Sequence, residues 1–174
     1  MAIRTLISAQ EIAEKLAEMG RQIAADYAER DLLMVGVLKG AFMVMADLAR
    51  QVDRPVEFDF MAVSSYGAST QTSGVVRILK DLDQEIAGRH VLIVEDIIDS
   101  GLTLNYLLKS LSVRRPASLD VATLLLKEGI QRVPLEVKYV GFRIGPEFVI
   151  GYGLDYAGLY RNLPYVGVME GDPG

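Results

Sequence analysis

Residues 91–103 constrain the fold more than any other segment, because an apolar run leads directly into three carboxylates and a turn of small residues. The four consecutive apolar residues at 91–94 are typical of a strand that is covered on both faces, as in a parallel sheet. Leucines then recur at helical spacing between positions 102 and 111. The polar residues between these runs therefore lie at a strand-to-helix switch, which is where open α/β sheets bind their ligands.

The small and hydroxylated residues at this switch predict a binding site for a phosphate group. A helix N-terminus offers free backbone N–H groups and the positive end of a dipole to an anion. Gly101 lets the backbone close around the anion without a Cβ, and the hydroxyls of Ser100 and Thr103 add donors. We call residues 99–103, which begin at Asp99, the phosphate cradle.

Two further carboxylates, Glu95 and Asp96, stand shortly before the cradle. A carboxylate beside a phosphate repels it unless the carboxylate faces a sugar hydroxyl or a divalent cation. A sugar phosphate bound together with Mg²⁺ is therefore the economical interpretation. The alternative is an acidic loop that is merely solvated at the start of a helix, where acidic residues are favourable in any case.

Composition limits the classes of protein to consider. The chain has 174 residues, of which 51% are apolar, and this is enough for a hydrophobic core. It has no cysteine, which excludes disulfides and thiolate chemistry, and its single histidine, His90, excludes a multi-histidine metal site. We see no apolar run of membrane-spanning length and no signal-peptide pattern, and we expect a cytoplasmic protein that does not bind membranes. The net charge of −5 disfavours a general nucleic-acid binder.

The hydrophobic periodicity predicts an α/β architecture. Ser8 and Glu11 form a capping-box pattern at the start of the opening helix. A strand at 32–38 and a helix at 41–50 follow, and further strands are predicted at 56–63, 75–79, 91–94, 119–126, 137–142 and 148–152. Residues 64–74 are almost all small or polar, so we expect a lid loop there. The alternation of strands and helices favours a parallel sheet with right-handed crossovers.

The sequence Glu-Asp-Ile-Ile-Asp-Ser-Gly at 95–101 resembles the phosphoribosyl-pyrophosphate signature of the type I phosphoribosyltransferases, and its form is similar to their hypoxanthine-guanine branch. Further matches extend from position 37 to position 165, and the strongest of them is at 148–156. The resemblance implies the α/β type I phosphoribosyltransferase fold, in which a central, mostly parallel sheet is flanked by helices and carries a small hood and a flexible lid loop. We expect residues 1–174 to form one such domain, with residues from about 139 to 174 contributing to the hood.

The resemblance also implies roles for individual residues. Asp99 matches the general base at purine N7, and Lys127 matches the lysine that donates to the 6-oxo oxygen of the purine. The expected substrate-binding residues are Lys39, Gly40, Ser65, Tyr66, Glu95, Asp96, Asp99, Ser100, Gly101, Leu102, Thr103, Lys127, Phe148, Val149, Asp155 and Arg161. The expected ligands of Mg²⁺ are Glu95, Asp96 and Asp155. Taken alone, Lys39-Gly40 is more often an ordinary turn, and a lysine such as Lys127 is more often a solvated strand end.

Several of these matches carry a specific expectation. Lys39 and Gly40 match the pyrophosphate loop, in which the peptide bond before the lysine is often cis, and Arg161 matches the pyrophosphate arginine. The resemblance implies that Ser65 and Tyr66 close over the pyrophosphate as part of the lid. Phe148 matches the ring that stacks on the purine, and Val149 matches the residue whose backbone reads the base edge. Leu102 is a departure, because some relatives have a polar or basic residue at its position.

The function that these expectations support is the transfer of a 5-phosphoribosyl group from phosphoribosyl pyrophosphate to hypoxanthine or guanine, with Mg²⁺ as cofactor. The resemblance further implies a homodimer or a homotetramer. One alternative is an enzyme for another base, such as xanthine or uracil. The other is a regulator of the pyrimidine-operon type, which keeps the fold and binds RNA; the acidic charge disfavours it.

Overall fold

The computed structural model describes residues 2–65 and 76–171 and, for Ser65, the backbone alone. Six of its strands form a central sheet in the order β4-β3-β2-β5-β6-β7, and three form a smaller sheet in the order β1-β9-β8. In chain order the elements are β1 (Ala2–Ile7), α1 (Ala9–Asp26), β2 (Leu32–Leu38), α2 (Phe42–Gln51), β3 (Glu57–Ser65), β4 (Val76–Lys80), β5 (His90–Ile98), α3 (Leu102–Ser112), β6 (Ser118–Lys127), β7 (Tyr139–Ile144), β8 (Val149–Ile150) and β9 (Val166–Glu170).

The central sheet is mostly parallel, as predicted, with β4 pairing antiparallel to β3 at one edge. Successive residues of β5 pack into different cores on its two faces. Val91 and Ile93 join the core that contains the leucines of α3, whereas Leu92 and Val94 join the core that contains α1 and α2. Because helices cover both faces of the sheet, the sequence of the strand is a continuous apolar run and not an alternation of apolar and polar residues.

The predicted opening helix is confirmed as α1, and its capping box is complete. The Glu11 backbone N–H donates to Ser8 Oγ at 3.1 Å, and the Ser8 N–H donates to Glu11 Oε1 at the same distance. The helix buries Ile12, Leu16 and Ile23 against the sheet, as their spacing predicts. None of the helices in residues 2–65 and 76–171 is both long and apolar enough to cross a bilayer.

The smaller antiparallel sheet, which we call the hood, differs from the expectation in two respects. It includes β1 and β9, neither of which the sequence pattern predicted, and β1 lies before α1. The segment from Tyr139 to Ile144, which we expected in the hood, is instead the edge strand β7 of the central sheet and pairs parallel to β6. Gly141 does not break this strand; a Cβ there would lie 2.6 Å from the Leu124 carbonyl oxygen, so glycine permits the close pairing.

The segment on either side of the expected lid forms an antiparallel pair. Ser64 and Ser65 belong to the end of β3, and β4 pairs back onto it, with Ser65 opposite Val76. The predicted strand at 75–79 corresponds to β4. The remainder of the expected lid, including Tyr66, lies outside the described residues.

Candidate active site

The candidate residues lie together because β2, β5 and β6 are parallel neighbours and end at the same edge of the sheet. Ile98 pairs with Leu126, so the residues that follow them, Asp99 and Lys127, leave adjacent strands at the same level. The side chains then converge: Lys127 Nζ is 3.6 Å from Asp99 Oδ2. The lysine side chain is only 10% exposed, whereas that of Asp99 is 62% exposed. The site therefore presents an accessible carboxylate beside a largely buried ammonium.

The phosphate cradle follows β5 and leads into α3. Gly101 is the N-cap of α3 and has a φ of +83°, a conformation that L side chains rarely adopt. Its carbonyl accepts from the Asn105 N–H at 2.9 Å, which begins the helix. A cavity of about 170 Å³ lies against this turn, and its lining includes Glu95, Ser100 and Thr103. The residues predicted for anion binding thus line a concave site at a helix N-terminus, as the sequence indicated.

The charged forms of Glu95 and Asp96, the two carboxylates before the cradle, are electrostatically unfavourable. Burial and the adjacent Asp96 raise the pKa of Glu95 well above its usual value. Burial also raises the pKa of Asp96 from 3.8 to about 6, even though the Ile97 N–H bonds its Oδ1 at 2.7 Å and Arg161 favours its charged form. A cation or sugar hydroxyls in this position would relieve the repulsion.

Whether the site fits Mg²⁺ depends on how many protein carboxylates would coordinate the ion. Among residues 2–65 and 76–171, no three His, Cys, Asp or Glu side chains form a preformed metal cluster. Mg²⁺ in phosphate-binding enzymes is usually held by one or two carboxylates together with substrate oxygens and waters. Buried, mutually repelling carboxylates at Glu95 and Asp96 fit this mode of binding, whereas a site made by the protein alone does not fit.

The Lys39-Gly40 turn lies against the acidic pair. The Leu38-Lys39 peptide is cis, as the resemblance led us to expect. A Cβ on Gly40 would lie 1.9 Å from Asp96 Oδ2, so only glycine lets the turn approach this carboxylate so closely. The exposed side chain of Lys39 starts from this turn. The structure therefore brings the predicted pyrophosphate turn and the predicted Mg²⁺ ligand into contact.

The segment after β8 brings a further carboxylate and a further cation to the site. Arg161 Nη2 lies 3.3 Å from Asp155 Oδ1, and Arg161 Nη1 donates to the Gly153 carbonyl at 2.6 Å. The other Asp155 oxygen accepts from the Gly158 N–H at 2.9 Å. The predicted metal ligand is thus paired with the predicted pyrophosphate arginine. This pairing holds both groups at the edge of the site.

The predicted base-binding residues lie at the start of β8. Val149 is buried in the strand, while the neighbouring Phe148 is 45% exposed. The Phe148 ring meets the Tyr156 ring edge-to-face, with centroids 6.0 Å apart and an interplanar angle of 82°. An exposed ring that is braced on one edge leaves a face free for stacking.

Comparison with known proteins agrees with this geometry. The family model described as "Phosphoribosyl transferase domain" matches residues 4–157. The chain belongs to this phosphoribosyltransferase family.

The similar proteins are purine phosphoribosyltransferases. The chain is 54% identical over 171 residues to a hypoxanthine-guanine phosphoribosyltransferase of Mycobacterium tuberculosis, covering 95% of this chain and 85% of the relative. It is 49% identical over 167 residues to that of Bacillus subtilis, covering 96% and 93%. Among solved structures, a hypoxanthine phosphoribosyltransferase from Staphylococcus aureus has a TM-score of 0.93 and 44% identity, covering 96% of this chain and 91% of that one.

One part of this phosphoribosyltransferase site was missed by sequence reasoning. Residues 128–138, which connect β6 to β7 and which we call the strap, pack against the phosphate cradle. The Arg132 N–H donates to the Ser100 carbonyl at 2.9 Å. The side chain of Leu135 fills the space beside Gly101, where a Cβ would lie 2.4 Å from Leu135 Cδ1. A loop with no periodic pattern offers no sequence signal for such contacts.

Proposed function

We propose that this phosphoribosyltransferase is a purine salvage enzyme that uses hypoxanthine and guanine. It transfers the 5-phosphoribosyl group from phosphoribosyl pyrophosphate to the base and yields IMP or GMP with pyrophosphate. The observation that carries the proposal is the pair of Asp99 and Lys127 at the mouth of the cradle, 3.6 Å apart. A 6-oxopurine offers a carbonyl acceptor to an ammonium and a ring N–H to a carboxylate, and adenine lacks that acceptor.

The sugar phosphate occupies the other half of the proposed site. The cradle from Asp99 to Thr103, including Leu102 at the first position of α3, holds the 5′-phosphate through backbone N–H groups and hydroxyls. Glu95 and Asp96 would hold the ribose hydroxyls and an Mg²⁺ ion, and Asp155 would contribute to holding a second ion. When bound, Mg²⁺ neutralises the charge that develops on the leaving pyrophosphate.

The side chains of the protein supply the remaining steps. Lys39 and Arg161 bring positive charge to the pyrophosphate as its bond to the sugar breaks, which stabilises the transition state electrostatically. Asp99 accepts the proton from the purine nitrogen as general base. Phe148 stacks on the purine, and the backbone of Val149 reads the edge of the base.

Three further expectations remain predictions. Ser65 and Tyr66 are proposed to close over the pyrophosphate and exclude water from the reacting centre. A homodimer or homotetramer is proposed as the assembly, without nucleic acid or membrane as partner. A cytoplasmic location, which the hydropathy pattern led us to expect, is proposed as well.

The test is chromatographic detection of nucleotides after incubation with Mg²⁺, phosphoribosyl pyrophosphate and one base at a time. The bases are hypoxanthine, guanine, xanthine, adenine, uracil and orotate. We expect IMP and GMP without AMP. UMP as the main product would refute the proposed base site and keep the cradle, and formation of no nucleotide with any base would refute the proposed function.

A further inference from the structure

The side chain of Gln131 in the strap connects the two loops that carry the proposed chemistry. Its Nε2 donates to the Lys127 carbonyl at 2.5 Å and to the Asp99 carbonyl at 3.0 Å. One amide group thus uses both of its N–H donors on the backbones of two residues whose side chains are themselves 3.6 Å apart. Neither backbone bond belongs to the pairing of β5 with β6, which ends at Ile98 and Leu126.

These two carbonyls lie where the pairing of β5 with β6 ends: Asp99 follows the last residue of β5, and Lys127 is the last residue of β6 and is paired only with Ile144 of β7. Up to Ile98 and Leu126, ladder hydrogen bonds set the separation of the strands. Beyond that pair, Asp99 and Lys127 depend on other contacts for their relative position. The Gln131 amide provides such a contact directly, because it holds both backbones from the same side-chain group.

The rest of the strap is anchored so that Gln131 can act as a brace. At its start, the Glu128 N–H donates to the Ile144 carbonyl at 2.9 Å. One residue beyond Gln131, the backbone of Arg132 donates to the Ser100 carbonyl at 2.9 Å. The strap is therefore fixed to β7 and to the cradle on either side of the glutamine, and the amide is held in place by these backbone bonds rather than by its own two bonds alone.

We propose that Gln131 is a positioning residue that sets the distance between the Asp99 carboxylate and the Lys127 ammonium, and through it the fit of the 6-oxopurine. This inference rests on the proposed function, because it concerns the geometry of that same site. Gln131 acts through the two backbones and does not need to touch the substrate. Reactions that depend on held geometry lose on the order of 10²-fold in rate for a displacement of about 1 Å.

The principal variant is Gln131→Glu, which keeps the length and shape of the side chain but places a carboxylate against two carbonyl oxygens. We expect kcat/KM for hypoxanthine to fall on the order of 10²-fold, with a higher KM for hypoxanthine as well as a lower kcat. Gln131→Arg keeps N–H donors at the end of a long side chain, so it should recover most of this loss. Gln131→Met, which is neutral and of similar length, serves if the glutamate variant does not fold.

The matched control is Gln84→Glu, since Gln84 Nε2 also donates to a backbone carbonyl, that of Phe58 at 3.3 Å, away from the proposed site. Gln84→Glu should have the same kcat and KM for hypoxanthine as the wild-type protein. The inference is overturned if Gln131→Glu and Gln131→Met keep wild-type kinetics. It is also overturned if kcat falls only in proportion to the folded fraction while KM for hypoxanthine is unchanged, because that is the result of a purely structural role.

The wild-type protein, assayed in parallel, separates this outcome from failure of the proposed function. If the wild type forms no IMP or GMP, the proposed function fails. If the wild type forms IMP and GMP, and Gln131→Glu and Gln131→Met form them with the kcat and KM of the wild type, the positioning role alone fails.

Discussion

Replacement of Gly101 by alanine tests the architecture of the cradle. The resulting loss in the free energy of unfolding has two separable parts. The first is conformational: a φ of +83° costs an L residue about 1–2 kcal/mol. The second is steric, because the new Cβ would lie 2.4 Å from Leu135 Cδ1; this atom is the end of a partly buried side chain, so displacing it costs about 1 kcal/mol, the lower end of the overpacking range. Gly101→Ala should therefore lower the free energy of unfolding by about 2–3 kcal/mol.

The strap itself offers a matched control for the first part. Gly129 has a φ of +76°, and a Cβ there would meet nothing within 4 Å. Gly129→Ala should therefore cost only the conformational part, about 1–2 kcal/mol. Equilibrium urea unfolding of the two variants and the wild type, at constant m-value, measures both costs.

A double-mutant cycle isolates the steric part. In a Leu135→Ala background the obstructing methyl group is absent, so Gly101→Ala should then cost about as much as Gly129→Ala. The reasoning is refuted if Gly101→Ala destabilises no more than Gly129→Ala, or if Leu135→Ala leaves the difference between them unchanged. In the activity assay, Gly101→Ala should raise KM for phosphoribosyl pyrophosphate, whereas Gly129→Ala should not.

Three further predictions concern the acidic and aromatic residues of the site. Asp99→Ala should lower kcat by roughly 10²- to 10⁴-fold with little loss of stability, and near-normal turnover would refute its role as general base. In EDTA, Asp96→Asn should stabilise the protein at pH 8 by up to about 3 kcal/mol, because a pKa raised from 3.8 to about 6 makes ionisation more costly in the folded state. This gain in unfolding free energy should shrink as pH falls through 6 and vanish below about 3.8, where the carboxyl is protonated in both states; a gain independent of pH would refute it. Phe148→Leu should raise KM for hypoxanthine by the loss of roughly 1–3 kcal/mol of stacking, and an unchanged KM would place the purine elsewhere.

The strand-to-helix switch could be predicted from the sequence because local patterns determine it. The residues at the start of β5 are all apolar because helices cover both faces of the sheet. The burial of this strand is therefore visible in the local sequence. The start of α1 was equally predictable, since both halves of its capping box lie within four consecutive residues, Ser8 to Glu11. The resemblance added the proposed chemistry of the site, and the family match confirmed the family.

The hood could not be predicted in full, because its sheet joins the two ends of the chain. β1 pairs with β9, and Ile3 lies opposite Met169. Within β1, most side chains are exposed or partly exposed, and only Ile7 is buried, so the strand has no clear alternating pattern. The pairing is determined by contacts between residues more than 160 positions apart, as for Ile3 and Met169, and no local window of sequence contains that information.

The role of the strap has the same physical origin on a smaller scale. The Gln131 side chain donates hydrogen bonds to two backbone carbonyls. Every residue has such a carbonyl, so the sequence does not indicate which two residues will accept these bonds. Leu135 faces Gly101, but an apolar residue beside a proline in a loop does not indicate which turn it will contact. Sequence reasoning proposed side chains for the chemistry and missed those that hold the backbone in place.

The arrangement of charges explains how an acidic chain keeps a site for a highly anionic substrate. The net charge of −5 opposes the approach of pyrophosphate, and the acidic pair at β5 adds to that opposition. The predicted pyrophosphate arginine is partly neutralised as well, since Arg161 lies beside Asp155. A pyrophosphate group alone must therefore compete with Asp155 for Arg161. We therefore expect a requirement for Mg²⁺, because a divalent cation that arrives with the substrate would give Asp155 a new partner and leave Arg161 for the pyrophosphate.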